Sequence, residues 1–239
     1  MPPDHRSSPP AIDDTSQTRR IYDDLRRSII TGVYAEGQKL PEARLAEMLG
    51  TSRLPVREAL ALLEFDGIVS ASPRRSAVVR SWDRTAVEEL FDIRIGLEPL
   101  AARLAAARIQ QGADSSPLHA ALRESNAAIA SHDPLRIAEA NAKLHGEIVE
   151  LAGNSLLTQL MRTILARMAW LFFITTKRAV AAQLDEHHHL IDAITSGNER
   201  LAEYAMLDHT EAGRAPTLAI ITALRHPDAK LPPEPSPPH

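Results

Sequence analysis

The sequence predicts a mainly α protein in two parts, an N-terminal winged helix-turn-helix followed by an all-α antiparallel helical bundle. Three observations carry that prediction. Residues 42–65 read as a short helix, a tight turn and a second helix, and two short β-prone runs follow them. From Thr85 onward, helical periodicity and helix-start signals recur with almost no strand pattern between them. Charge is also uneven: Ser16 to Arg84 holds 12 Lys and Arg against 9 Asp and Glu, net +3, whereas Thr85 to His239 holds 14 against 19, net -5. The two parts therefore face different partners.

Composition narrows the chemistry. The 239 residues carry a net charge of -4, which excludes a uniformly basic nucleic-acid coat and makes any DNA contact local. The absence of cysteine excludes a disulfide framework, a thiolate zinc site and a Cys nucleophile. A metal site must then use His, Asn, Asp or Glu. No stretch approaches the roughly 18 consecutive apolar residues of a membrane span, and Met1 to Thr15 has no signal-like apolar run. The expectation is a cytoplasmic protein that makes no membrane contact.

Ten of the 17 prolines fall in the first 14 and last 13 residues, so 1–15 and 227–239 are predicted as disordered tails around a DNA-binding domain at 16–84 and a helical domain at 85–226. In the first domain, Ile21, Leu25 and Ile29 share one helical face and the helix ends near Gly32. Glu42 to Leu49 forms a short helix with Gly50 as its left-handed cap, and Leu54 to Phe65 forms the next, with Val56, Leu60 and Leu63 inward. Ile68 to Ala71 and Ala77 to Arg80 then read as a hairpin with a basic tip at Arg74 and Arg75. In the second domain, Thr85 with Glu88 reads as a capping box, and Pro99, Pro117, Pro134 and Pro216 read as first-turn prolines. Gly112, Gly153 and Gly197 mark helix ends, giving about six or seven helices.

Helix, turn, helix and hairpin in that order make a winged helix-turn-helix. Arg53 and Arg57 lie one turn apart at the start of the recognition helix, next to the turn residue Ser52. An arginine fork there reads guanine or clamps a phosphate, whereas each arginine alone reads equally well as an ordinary surface cation. Residues 21–80, above all GTSRLPVREALALLEFDGIV at 50–69, closely resemble the DNA-binding domain of the GntR family of bacterial transcription regulators. The resemblance implies operator reading by Arg53 and Arg57, a DNA contact from Ser52, a phosphate contact from Arg44, and a wing carrying Arg74 and Arg75 along the minor groove. One departure is Ser76, where the family wing usually has glycine.

In the helical domain, Asn141 and His145 are four apart on a face shared with Ile137, Ala138, Ile148 and Val149. Within His187-His188-His189, only His187 shares a face with Leu190, Ile191 and Ile194. His209 stands with Ala202, Ala205, Met206 and Ala212, and residue 198 is the midpoint of 187 and 209, so two antiparallel helices joined there bring both histidines to one height. A single inward His is more often structural. Three that converge are costly to bury without a shared partner, and a divalent metal is the usual remedy. Arg94 lies inward with Leu90, Leu97 and Ala101, where it either clamps a carboxylate ligand or pairs with Glu98 one turn on.

This half resembles the FCD ligand-binding bundle of one GntR subfamily, through EELFDIRIGLEPLAARLA at 88–105, NAKLHGEIVELAGN at 141–154 and EHHHLIDAI with the downstream His209. The resemblance implies metal ligation by Asn141, His145, His187 and His209, with Asn141 where metal-binding members carry Asp. Zinc is the leading ion, and nickel or manganese are alternatives. It further implies an anionic effector, a small carboxylate or sugar acid, near Arg94 and Asn141. The implied function is a ligand-responsive repressor that binds palindromic operator DNA as a homodimer. The alternative is a metal-dependent hydrolytic enzyme using the three-His site. That alternative lacks an HExxH motif, offers only Glu147 as a nearby acid, and leaves residues 42–80 without a role.

Overall fold

The computed structural model describes residues 14–70, 76–176 and 180–225. The chain divides into two compact units, Met1–Arg80 and Ser81–His239. The predicted tails lie outside the described residues, except that the first helix already begins at Asp14.

The first unit contains α1 (Asp14–Ile30), β1 (Lys39–Leu40), α2 (Glu42–Met48), α3 (Arg53–Phe65), β2 (Val69–Ser70) and β3 (Ala77–Val79). The predicted apolar stripes are the core: Ile21, Leu25 and Ile29 of α1 pack on Val56, Leu60 and Leu63 of α3, all buried. Polar ties fix the same pair of helices, with Thr18 donating to Glu58 at 2.8 Å and Tyr22 donating to the buried Asp66. Gly50 turns the chain between α2 and α3 at φ +60°, a conformation that costs a side-chain-bearing residue more. The sheet runs β1-β3-β2, antiparallel throughout, with Leu40 opposite Ala77 and Val69 opposite Val79. The strand β1 was not predicted, because two residues show no alternation. The predicted tip of the wing, with Arg74 and Arg75, lies outside the described residues.

The second unit is α4 (Arg84–Gln110), α5 (Ser116–Ser131), α6 (Pro134–Leu151), α7 (Ser155–Ile174), α8 (Val180–Thr195) and α9 (Glu199–Arg225), with α4 packed most extensively on α9. Two expectations need correction. The cap of α4 is Asp83, which accepts from the Ala86 amide at 2.8 Å, rather than the Thr85-Glu88 pair. Pro117 and Pro134 do begin helices, but Pro99 and Pro216 lie inside α4 and α9. The preceding residue separates the two cases. Ser116 and Asp133 are cap-forming types, whereas Glu98 and Ala215 are not, so nothing stops the helix before the proline.

Candidate metal centre and DNA-reading surface

Three helices deliver the histidines. Asp133 caps α6 by accepting from the amides of Leu135 and Arg136, and that register turns Ala138, Asn141, His145 and Ile148 inward. The turn between α8 and α9 closes with Gly197 at φ +73° and with Asn198, whose side chain accepts from the Leu201 amide at 3.1 Å. Those two helices pack together, as the midpoint reading requires, and His187 meets His209 with ring centroids 5.0 Å apart. His145 lies 5.3 Å from His209 and 6.0 Å from His187 by the same measure. All three are buried, and one ring nitrogen from each lies within 4.8 Å of the others. His188 and His189 are exposed, and His188 meets Asn126 at 3.3 Å. In α9 the inward stripe continues through Gly213 and Thr217; Ala212, expected on it, is exposed.

Two carboxylates orient the cluster. Glu98 Oε2 stands 3.0 Å from His145 Nδ1, approaching obliquely, and Glu186 Oε2 stands 3.0 Å from His209 Nδ1. A carboxylate beside Nδ1 favours a proton on that nitrogen, the tautomer that turns Nε2 toward the cluster. Those two Nε2 atoms lie 3.4 Å apart. At that distance the two nitrogens either share a ring proton or hold a cation between them. Two nitrogens, each about 2.1 Å from a tetrahedral ion, would be about 3.4 Å apart.

Burial lowers the His145 pKa, and the neighbouring Glu98 only partly opposes it, so the ring is neutral at neutral pH, the state a ligand needs. For Glu98, burial pushes upward, but the neighbouring Arg94 guanidinium outweighs it and holds the carboxyl well below its usual range. Arg94 donates to Glu98 through Nε at 2.8 Å and Nη2 at 3.3 Å, and its guanidinium lies 4.9 Å from the Phe91 ring centre and 5.4 Å from that of Phe172. Thr210 adds a hydroxyl to the same carboxylate at 3.3 Å. Of the two roles open to Arg94, the pairing with Glu98 is therefore made, and its charge is compensated.

Asn141, predicted as a ligand, is buried, and its Oδ1 has no hydrogen-bond partner among the described residues. It opens onto a narrow pocket with His209, Arg94, Phe172, Thr175 and Thr217. Glu147, the acid singled out from sequence, is not among the carboxylates that contact the cluster; Glu98 and Glu186 are. Both were legible in principle. Glu98 shares the inward face of Arg94, and the midpoint that pairs 187 with 209 also sets 186 close to 209 and 210.

In the first unit, Ser52 precedes α3 in extended conformation and its hydroxyl makes no capping bond. Arg53 and Arg57 follow on the exposed side, opposite the buried Val56, Leu60 and Leu63. Arg57 is held by Glu42 at the start of α2, through Nη2 at 2.9 Å and Nε at 3.1 Å. Arg44 is exposed on α2.

Residues 17–79 match the family model described as bacterial regulatory proteins, gntR family, and residues 89–212, just over half of the chain, match the FCD domain model. The chain belongs to the GntR family of bacterial regulatory proteins. As a GntR regulator with an FCD domain, it is a DNA-binding transcription regulator and not an enzyme. It is similar to the HTH-type transcriptional regulator YdhC of Bacillus subtilis (strain 168), 28% identical over 193 residues that cover 80% of this chain and 86% of that one. It is also similar to a Paenarthrobacter nicotinovorans protein named "Probable D-xylose utilization operon transcriptional repressor", 26% identical over 83% of this chain and 87% of the relative. A crystal structure described as a GntR transcriptional regulator from Rhodococcus sp. RHA1 matches with a TM-score of 0.71 at 25% identity, covering 85% of this chain and 98% of that one.

Proposed function

We propose that this GntR regulator is a cytoplasmic, dimeric repressor whose FCD domain holds a divalent metal and releases operator DNA when a small carboxylate or sugar acid binds beside it. The observation that carries the reading is the buried cluster of His145, His187 and His209, in which the Nε2 atoms of His145 and His209 face each other at 3.4 Å with a carboxylate oxygen 3.0 Å from each Nδ1. His187 completes a three-nitrogen set, and the unpartnered Oδ1 of Asn141 fits a fourth, weaker oxygen donor. Zinc suits this donor set best, with nickel or manganese as alternatives. A divalent cation held there supplies a positive centre for carboxylate oxygens.

Charge sets the ligand class. Arg94 and Glu98 cancel, and the three imidazoles and Asn141 are neutral as ligands. A divalent ion then leaves a net positive centre, which matches an anionic carboxylate. Thr217 adds a hydroxyl along the same pocket. On the DNA side, Ser52, Arg53 and Arg57 are the base-reading group and Arg44, Arg74 and Arg75 contact phosphate. Repression is consistent with the repressor name carried by one relative.

The dimer contact is assigned to α4 and α7. Among the described helices, α7 is the one long and apolar enough, by length and composition, to cross a membrane. Arg162 and Arg167 interrupt it, and it packs on α6 inside the FCD match, so its uncovered apolar side fits a subunit interface. On α4, Ile93 is half exposed in a groove edged by Glu89 and Arg167, and on α7 Leu156 and Leu160 are each at least half exposed. Acidic and basic groups on one patch are self-complementary under a two-fold axis.

Zinc-loaded protein titrated with a panel of small hydroxy acids and sugar acids tests the switch. At least one is expected to raise the melting temperature only when metal is present and to weaken operator binding by about 5- to 150-fold. No carboxylate response in metal-loaded protein contradicts the proposal.

A further inference from the structure

The contact between Glu42 and Arg57 is made by one particular edge of the guanidinium. Glu42 receives Nε and Nη2, with distances of 2.9 to 3.2 Å, so the carboxylate grips the side of the fork. The outer edge, formed by Nη1 and the second Nη2 hydrogen, points away from Glu42, and it is the edge whose two parallel N–H groups match guanine O6 and N7. The pair is exposed, at 62% for the arginine side chain and 35% for the glutamate, and exposed pairs add little to stability. A carboxylate on a DNA-facing surface also opposes phosphate binding. Its benefit must lie elsewhere, and orientation is what this geometry supplies: a long, rotamer-rich side chain is fixed before it meets DNA.

We propose that Glu42 is a specificity-determining positioning residue, which braces Arg57 so that its outer edge reads one guanine in each operator half-site. The inference rests on the reading of α3 as the recognition helix. Glu42 reaches Arg57 across 15 residues of sequence, from the first residue of α2 to the second turn of α3, so the brace crosses the helix-turn-helix itself. Without it, Arg57 is free to turn toward the nearest phosphate. The consequences for affinity and specificity then have opposite signs. Removing Glu42 deletes a negative charge and releases a cation, which strengthens binding to any duplex and steepens its salt dependence. It weakens discrimination at the guanine.

The test is selection of random-sequence duplex DNA by full-length wild type, Glu42→Ala, Glu42→Gln and Arg57→Ala, followed by salt titrations on the selected site and on a scrambled duplex. Wild type is expected to select a guanine that Arg57→Ala no longer requires. Glu42→Ala should lower the preference at that same position by about tenfold, within the range of a bidentate contact, and bind the scrambled duplex more tightly. Glu42→Gln, which keeps an acceptor, should fall between. Positions assigned to Arg53 should persist in every variant, which shows that the domain is folded. If Glu42→Ala keeps the full preference that Arg57→Ala loses, the brace is refuted while Arg57 remains a base reader. If Arg57→Ala changes no position, the reading of α3 fails and the brace with it.

Discussion

Arg94 shows how one buried side chain changes role once its partners are known. Its inward position was readable from the residues sharing its face, and so was the option of Glu98 four residues on. Sequence could not decide between a ligand clamp and an ion pair, because the choice depends on His145 and Thr210, which come from α6 and α9. With those in place, Glu98 is a charged acceptor held by Arg94, and Arg94→Ala strands that charge in the core. The substitution should cost about 3–5 kcal/mol in chemical denaturation of the full chain. An effector clamp alone would leave the metal-free stability unchanged. The histidines themselves were legible because each sat on an apolar face of its own helix, and only Ala212 was placed on the wrong side.

At the scale of elements, helix positions were readable wherever a capping residue stood before a proline or a glycine followed the last apolar position. They were misread where a proline entered a helix without a stop signal, as in α4 and α9. The contact of α1 with α3 adds a pH-dependent term. Tyr22 is buried and donates to Asp66; burial, then that hydrogen bond and the Asp66 charge, push its hydroxyl far above the ordinary tyrosine range. A raised folded pKa means that the stabilisation is complete below the unfolded value near pH 10 and is lost as pH rises beyond it. Denaturant midpoints of the first unit should therefore fall above pH 10 in wild type. Tyr22→Phe should flatten that alkaline fall, while lowering stability at pH 7 by about 1–3 kcal/mol because Asp66 loses its donor. An unchanged alkaline slope in Tyr22→Phe would separate Tyr22 from the effect.

For the whole molecule, the charge split between the two parts was the earliest sign of a DNA-facing unit joined to a different kind of unit. The strand β1 was the least legible, since two residues carry no periodicity, whereas both strands of the wing, Val69–Ser70 and Ala77–Val79, fall inside the predicted β-prone runs. The proposed subunit interface was legible as a requirement of a palindromic site, and its assignment to α4 and α7 is argued from the exposure of Ile93, Leu156 and Leu160. Leu160→Glu is expected to shift sedimentation from dimer to monomer and to weaken operator binding, with helical content retained by circular dichroism. A variant that stays dimeric would move the interface off α7.

The proposed effector switch turns on whether His145, His187 and His209 close around a metal. Mass spectrometry of metal content, on protein purified without chelator and then reconstituted with zinc, is the most direct measurement. Wild type and His188→Ala should each carry a divalent ion at unit stoichiometry, and His187→Ala should lose it. Asn141→Asp should hold it more tightly against a competing chelator, since a carboxylate adds the charge the site lacks. A wild-type chain that takes up no metal, or a His187→Ala variant that retains it, would contradict the account.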